Sequence, residues 1–262
     1  MTVAPSDAQV SPGVAVASST PKLGDAAGRN LHERIANTLG ERIVGGTHPP
    51  GKPLPTEIEL CASLSVSRSA LREAFKLLAA KRLIVSRQKV GTLVRPRAEW
   101  NMLDPEVLAW TLHAAPTDEF VTGLFEVRKI VEPSAAALAA ERRSPEALAR
   151  IERALADMFR FQGSSAELID ADLRFHQAIL DATGNHFLAS FGAVIESSLQ
   201  ASFRFSWSAA HRTPDYALRQ HQGVLDAIRE GRGPEAYGIM TQLLRSAIED
   251  VRESLLRRQR GG

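Results

Sequence analysis

The order of short elements between residues 31 and 95 constrains this chain most. Leu31, Ile35, Leu39 and Ile43 recur at four-residue spacing, which predicts a helix over 31–45. Gly45-Gly46 and Pro49-Pro50-Gly51 end it. Thr56 then precedes Glu57-Ile58-Glu59-Leu60, with acidic residues where a helix's first turn favours them, so a second helix runs to about Leu64. After a break at Ser65-Val66, Ser67 can cap a third helix through about Ala80. Two β-type runs follow, Leu83–Ser86 and Thr92–Val94. Between them, Arg87-Gln88-Lys89-Val90-Gly91 forms a hairpin tip carrying two cations.

Three helices followed by a basic two-stranded hairpin predict a winged helix-turn-helix over residues 29–97. Residues 1–28 are rich in Ala, Ser, Pro, Gly and Val and hold no aromatic residue. They bury too little to offset ordering entropy and are expected to form a disordered tail. Residues 98–117 are expected to be a linker and connecting helix, in which Trp100 and Leu103 pack against something. Residues 118–258 read as helix throughout, a helical effector-binding domain. The expected helices lie near 105–113, 118–142, 145–161, 166–182, 186–208, 214–230 and 234–258, with Pro133 expected to kink the second of these. The fold class is therefore mostly α: a winged helix-turn-helix followed by an all-helical bundle.

Charge separates the two halves. Residues 30–98 carry twelve Lys/Arg against five Asp/Glu, and residues 99–262 carry eighteen against twenty-three. A basic N-terminal unit on an acidic body suits a polyanionic partner for the first part. No stretch approaches the roughly 20 apolar residues of a membrane span, and no secretion signal opens the chain. The single cysteine, Cys61, rules out an internal disulfide framework and fits a reducing cytoplasm. It falls on the apolar face of the second helix and is expected to pack in the core.

A recognition helix enters the major groove by its N-terminal end, so its first turns reach bases and phosphates. Here these residues are Ser67, Arg68, Ser69, Ala70 and Arg72. Arginine forks onto guanine or phosphate, and hydroxyls and helix N–H groups suit phosphate. The wing adds Arg87, Gln88 and Lys89.

The C-terminal region places chemically capable residues inside apolar stripes. Asp172 and His176, four apart, fall among Leu168, Ile169, Leu173, Ile179 and Leu180. His221 sits among Ala217, Leu218, Val224, Leu225 and Ile228, and Arg128 among Val121, Leu124, Phe125 and Val131. A lone histidine on an apolar face is usually a satisfied core residue. A carboxylate, two imidazoles and a guanidinium pointing inward would cost about several kcal/mol each unless they meet one another, a metal or a ligand. Asp172, His176 and His221 make a plausible site for Zn, Ni or Mn with positions left open, and Arg128 suits the far end of a bound carboxylate.

Leu54-Pro55-Thr56-Glu57, Glu59-Leu60, Val66-Ser67-Arg68, Leu71-Arg72-Glu73-Ala74 and Gly91-Thr92-Leu93-Val94 resemble the signature of the GntR family of regulators. In two places the chain departs from it. Ile58 stands where many relatives have Arg, which removes one DNA contact, and Lys89 stands where a wing-tip Gly is common. Glu126-Val127-Arg128, Asp172-Leu173-Arg174-Phe175-His176, Gly184-Asn185 and His221 with Ala227-Ile228 resemble the helical ligand-binding domain, called FCD, of the FadR subfamily. The resemblance implies that Asp172, His176 and His221 are metal ligands. It also implies a fourth ligand, a histidine on the last helix, where this chain has Leu243. Trp100-Asn101-Met102-Leu103-Asp104, the missing last His and Phe205-Ser206-Trp207 are similar to the galactonate-operon repressor branch, whose members respond to a sugar acid.

These observations predict a repressor, not an enzyme, that binds double-stranded operator DNA as a homodimer and is released by a sugar acid such as galactonate. Arg128, Ser206 and Trp207 are the expected effector contacts, with Trp207 offering its face to the C–H edges of a polyol. A rival within the same architecture senses another carboxylate, such as lactate. A metal-dependent enzyme is a weaker rival, since no general base stands beyond the ligands.

Overall fold

We describe the protein from a computed structural model covering residues 24–114, 117–162, 165–206 and 214–261. The predicted tail lies mostly outside the described residues. Helix α1 (Gly24–Val44) starts inside the segment expected to be tail, at Gly24. Helix α2 (Glu57–Leu64) opens on a full capping box: the Glu59 N–H donates to Thr56 Oγ1, and the Glu59 carboxylate accepts from the Thr56 N–H at 2.8 Å. Such a cap contributes about 1 kcal/mol. Ser65 ends α2 in the left-handed conformation, and Ser67 caps α3 (Arg68–Ala80) through the Ala70 N–H. Strands β1 (Ile84–Arg87) and β2 (Gly91–Val94) pair antiparallel, Ile84 opposite Val94 and Arg87 opposite Gly91. Ile35, Leu39 and Ile43 of α1 meet Leu71, Ala74 and Leu78 of α3 in one core, with Cys61 packed at its edge as expected.

A 3-10 turn (Arg97–Glu99) leads to α4 (Pro105–Ala114). Trp100 is buried and donates its indole N–H to the Arg95 carbonyl at 2.9 Å. Leu103 is exposed, against expectation, because the chain turns there and Asp104 takes over as the cap of α4, accepting from the Glu106 and Val107 N–H groups. Helix α4 belongs to both halves of the molecule. Val107 and Trp110 join the core of the winged domain, while Leu108 and Leu112 join small clusters with the helical bundle. Gly40 of α1 makes that junction possible, since a Cβ there would stand 2.5 Å from the Trp110 ring. Alanine is the better helix former by about 1 kcal/mol. Even so, Gly40→Ala should destabilise the protein by about 1–3 kcal/mol through overpacking. An unchanged or raised melting temperature would mean that Trp110 moves aside freely.

The bundle comprises α5 (Asp118–Arg142), α6 (Pro145–Arg160), α7 (Ser165–Ala182), α8 (His186–Ala189), α9 (Gly192–Ser206), α10 (Pro214–Arg229) and α11 (Gly233–Gly261). Ser144 caps α6 and Pro145 pre-sets its first turn, and Ala147, Ile151, Ala154, Leu155 and Met158 form its buried stripe. Helix α5 is continuous through Pro133, which is buried. Its small residues Ala135, Ala136, Ala139 and Ala140 share the main core with α6, α7, α10 and α11. The expected single helix over 186–208 is instead two. Gln177 of α7 donates to the Ala189 carbonyl at 3.3 Å, and Gly192 opens α9 where a Cβ would meet the Gln177 side chain at 2.1 Å. Among the described residues, no helix is long and apolar enough to cross a membrane.

Candidate functional site

Two places gather functional side chains. The first is the start of α3 and the hairpin. Ser67, Arg68, Ser69, Arg72, Arg87, Gln88 and Lys89 are all exposed. Ala70 is half-buried against the winged-domain core, and its N–H is taken by the Ser67 hydroxyl, so it has little left to offer a partner. Ser67 and Ser69 hydroxyls lie 3.0 Å apart. Arg72 is already engaged: its Nε donates to both Glu57 oxygens, at 3.1 and 3.3 Å. Lys89 sits at the hairpin tip with φ 64°, in the left-handed region. A side chain there costs roughly 1–2 kcal/mol, which is the physical reason glycine suits this position. The hairpin nonetheless closes with its cation in place.

The second place is inside the bundle. Arg128 and Glu132 of α5, Asp172 and His176 of α7, Ser198 of α9 and His221 of α10 converge. Arg128, Glu132, His176 and Ser198 are almost fully buried. Arg128 donates through Nε to Glu132 Oε1, through Nη1 to Ser198 Oγ at 2.9 Å, and lies 3.4 Å from His176 Nε2. His176 Nδ1 stands 2.5 Å from Glu132 Oε2, an ionic contact outside hydrogen-bond alignment. Its Nε2 is 3.3 Å from Asp172 Oδ1, and His221 Nε2 is 3.1 Å from the same oxygen. Sequence reasoning missed Glu132 and Ser198. Glu132 was findable, because it follows Arg128 by one helical turn on the same face.

The electrostatics follow from that geometry. Burial alone would raise Glu132, but Arg128 and His176 outweigh it and hold the carboxyl at about 2. Asp172 is likewise pushed up by burial and pulled far below its usual range by hydrogen bonds to His176 and His221. Burial lowers His176, yet Glu132 and Asp172 more than reverse this and raise it to about 9. Stability from His176 is complete below its ordinary 6.5 and is lost as pH rises towards about 9. Stability from Glu132 is complete above its ordinary 4.5 and is lost as pH falls towards about 2. Chelator-treated protein should therefore melt highest near pH 5 to 6, between those two ordinary values, and less well on either side. A melting temperature flat from pH 5 to 9 would contradict the buried ion network.

The donors of Asp172, His176 and His221 lie within 4.8 Å of one another, and their chemistry fits a divalent metal. The Ala217 carbonyl, 2.7 Å from His221 Nδ1, can only accept, so Nδ1 carries a proton and Nε2 is the ring nitrogen that faces Asp172 Oδ1. That nitrogen can donate to the carboxylate when the ring is doubly protonated, and in the neutral ring its lone pair is free for a cation. Backbone fixing of the far ring nitrogen is also how metal-bound histidines are oriented. Leu243, at the position of the expected fourth ligand, is buried in the apolar core and offers no donor. Ser206 ends α9, but its side chain lies outside the described residues, as does Trp207.

The two places are joined at α4. Lys81, at the end of α3, donates to both Asp104 oxygens at 2.9 Å, pairs with Glu106, and lies 5.8 Å from the Trp110 ring. The end of α3 is thus tied to the helix that packs on α9.

A winged helix-turn-helix on a helical bundle with a buried polar centre defines a one-component DNA-binding transcription regulator. The chain belongs to the gntR family of bacterial regulatory proteins, whose pattern matches residues 31–94, and carries an FCD domain over residues 123–246, the FadR-type arrangement. It is 37% identical to the galactonate operon transcriptional repressor of Escherichia coli K12 over 224 residues, 86% of this chain and 98% of that one. It is 31% identical to an Escherichia coli K12 regulatory protein named for an L-lactate dehydrogenase operon, covering 78% of this chain and 79% of that one. The solved structure of Lar, which controls expression of the Listeria monocytogenes agr system, is 20% identical with a TM-score of 0.58. It covers 85% of this chain and 97% of that one, and shows the shared fold alone. These relatives are transcription regulators, not enzymes.

Proposed function

We propose that the protein is a cytoplasmic homodimeric repressor of a sugar-acid catabolic operon, released from its operator by a hexonate such as galactonate. The observation that carries this is the cluster of buried Arg128, Glu132, His176 and His221 with half-buried Asp172, which no purely apolar effector would require. Without metal, the two carboxylates balance Arg128 and a protonated His176. A divalent metal on Asp172, His176 and His221 would displace the His176 proton and leave the centre with surplus positive charge. It would supply a Lewis-acidic anchor for a carboxylate. Arg128 then offers a fork to the same anion in competition with Glu132. Similarity to a galactonate-operon repressor supports a sugar acid as that anion. Similarity to a regulator named for a lactate dehydrogenase operon keeps lactate as the second reading.

Release would be a population shift, in which the ligand binds better to a bundle arrangement that spaces the two winged domains wrongly for paired half-sites. Helix α4, locked to α3 by Lys81, is the route between them. Operator binding itself rests on α3 and the wing. Arg68→Ala should cost about 1–3 kcal/mol of operator affinity if its fork reads a guanine, and binding should fall steeply with salt. Footprints of Arg68→Ala and Arg72→Ala that match the wild type would overturn the placement of the recognition helix. A monomer in sedimentation at micromolar concentration, with and without DNA, would overturn the dimer.

A further inference from the structure

We infer that Glu57 is a positioning residue for DNA recognition, holding Arg72 so that its two terminal nitrogens face a base or phosphate. The inference rests on the proposed placement of α3 in the groove and adds a second helix to the reading head. Glu57 is the first residue of α2 and Arg72 lies in the second turn of α3, fifteen residues later. Both Glu57 oxygens accept from Arg72 Nε, at 3.1 and 3.3 Å. Used this way, the carboxylate occupies the inner edge of the guanidinium. The outer edge keeps the fork that matches guanine O6 and N7 or a phosphate.

Arg72 remains two-thirds exposed at 67%, so the pair restrains the side chain without covering it. An exposed pair of this kind contributes little to folding. A carboxylate beside a DNA-facing surface also repels phosphate. Glu57 therefore opposes DNA binding by charge alone, and its benefit must come through Arg72: one long, freely rotating side chain is pre-set before contact. Ile58, next in sequence, is exposed and carries no charge, so it cannot replace a lost Arg72 contact.

The two possible roles of Glu57 give opposite signs. The experiment uses the full-length protein and an operator obtained by in vitro selection. Anisotropy titrations would cover that operator, its single-base variants and an unrelated duplex, for Glu57→Ala, Glu57→Gln, Arg72→Ala and the Glu57→Ala/Arg72→Ala double variant. Glu57→Ala should lose about tenfold in operator affinity and flatten preference at the base position that Arg72→Ala also flattens. Binding to the unrelated duplex should be equal or tighter. Glu57→Gln, which keeps one acceptor oxygen, should fall between Glu57→Ala and the wild type. In the Arg72→Ala background, Glu57→Ala should cost nothing further. Unchanged or tighter operator binding by Glu57→Ala, with base preferences intact, would overturn the positioning role. So would an equal loss with and without Arg72. If Arg72→Ala itself leaves every base preference intact, the placement of α3 fails first, and the inference falls with it.

Discussion

Arg128→Ala should destabilise the helical domain by about 3–5 kcal/mol, because it leaves Glu132 buried and unpaired. Glu132 is 2% exposed and gets its ionic support from Arg128 and His176. The loss should be visible as a lowered denaturation midpoint. Replacing both members with apolar residues of similar volume, Arg128→Met with Glu132→Leu, should recover part of it, since a buried pair adds little over good packing while His176 loses its contact with Glu132. The double variant then separates folding from sensing. It should bind operator as the wild type does and fail to release on ligand, a super-repressor. A double variant that still releases normally would show that Arg128 does not touch the effector.

The second large effect concerns the metal. Protein purified without chelator or nickel resin should carry near-stoichiometric Zn, Ni or Mn, and His176→Ala should lose it. Glu132→Gln should weaken metal binding by about 10–100-fold without removing a ligand, because the Glu132 carboxylate charge, 2.5 Å from His176 Nδ1, makes the ring a stronger ligand. Elemental analysis measures both. Metal-free native protein with an unaltered effector response after chelator treatment would instead make the centre a metal-free polar site.

The sequence made the winged domain almost fully legible because its signals are local. Thr56 with Glu59 and Ser67 with Ala70 are caps spanning three residues, and the structure uses both. Asp172 and His176 were legible for the same reason, being one turn apart on an apolar face, and His221 stood out as a polar residue within its own helix's apolar stripe. What was hidden depends on contacts distant in sequence. Ser198 meets Arg128 across seventy residues, and Arg72 meets Glu57 from a neighbouring helix. The break between α8 and α9 depends on Gln177 reaching over from α7. Leu103 was misplaced because an apolar residue in a linker carries no periodicity to say which side is buried. The buried charges satisfy one another more fully than the stripe positions alone suggested, because Glu132 closes the network around Arg128 and His176.

The role of the buried cluster is tested most directly by titrating the operator complex, followed by fluorescence anisotropy, against aldonates, uronates, lactate and an acyl-CoA. The buried Arg128, His176 and His221 beside two carboxylates predict release by a hexonate, galactonate first, and no release by the acyl-CoA. Release by an acyl-CoA or lactate, with no sugar acid effective at millimolar concentration, would contradict the sugar-acid assignment.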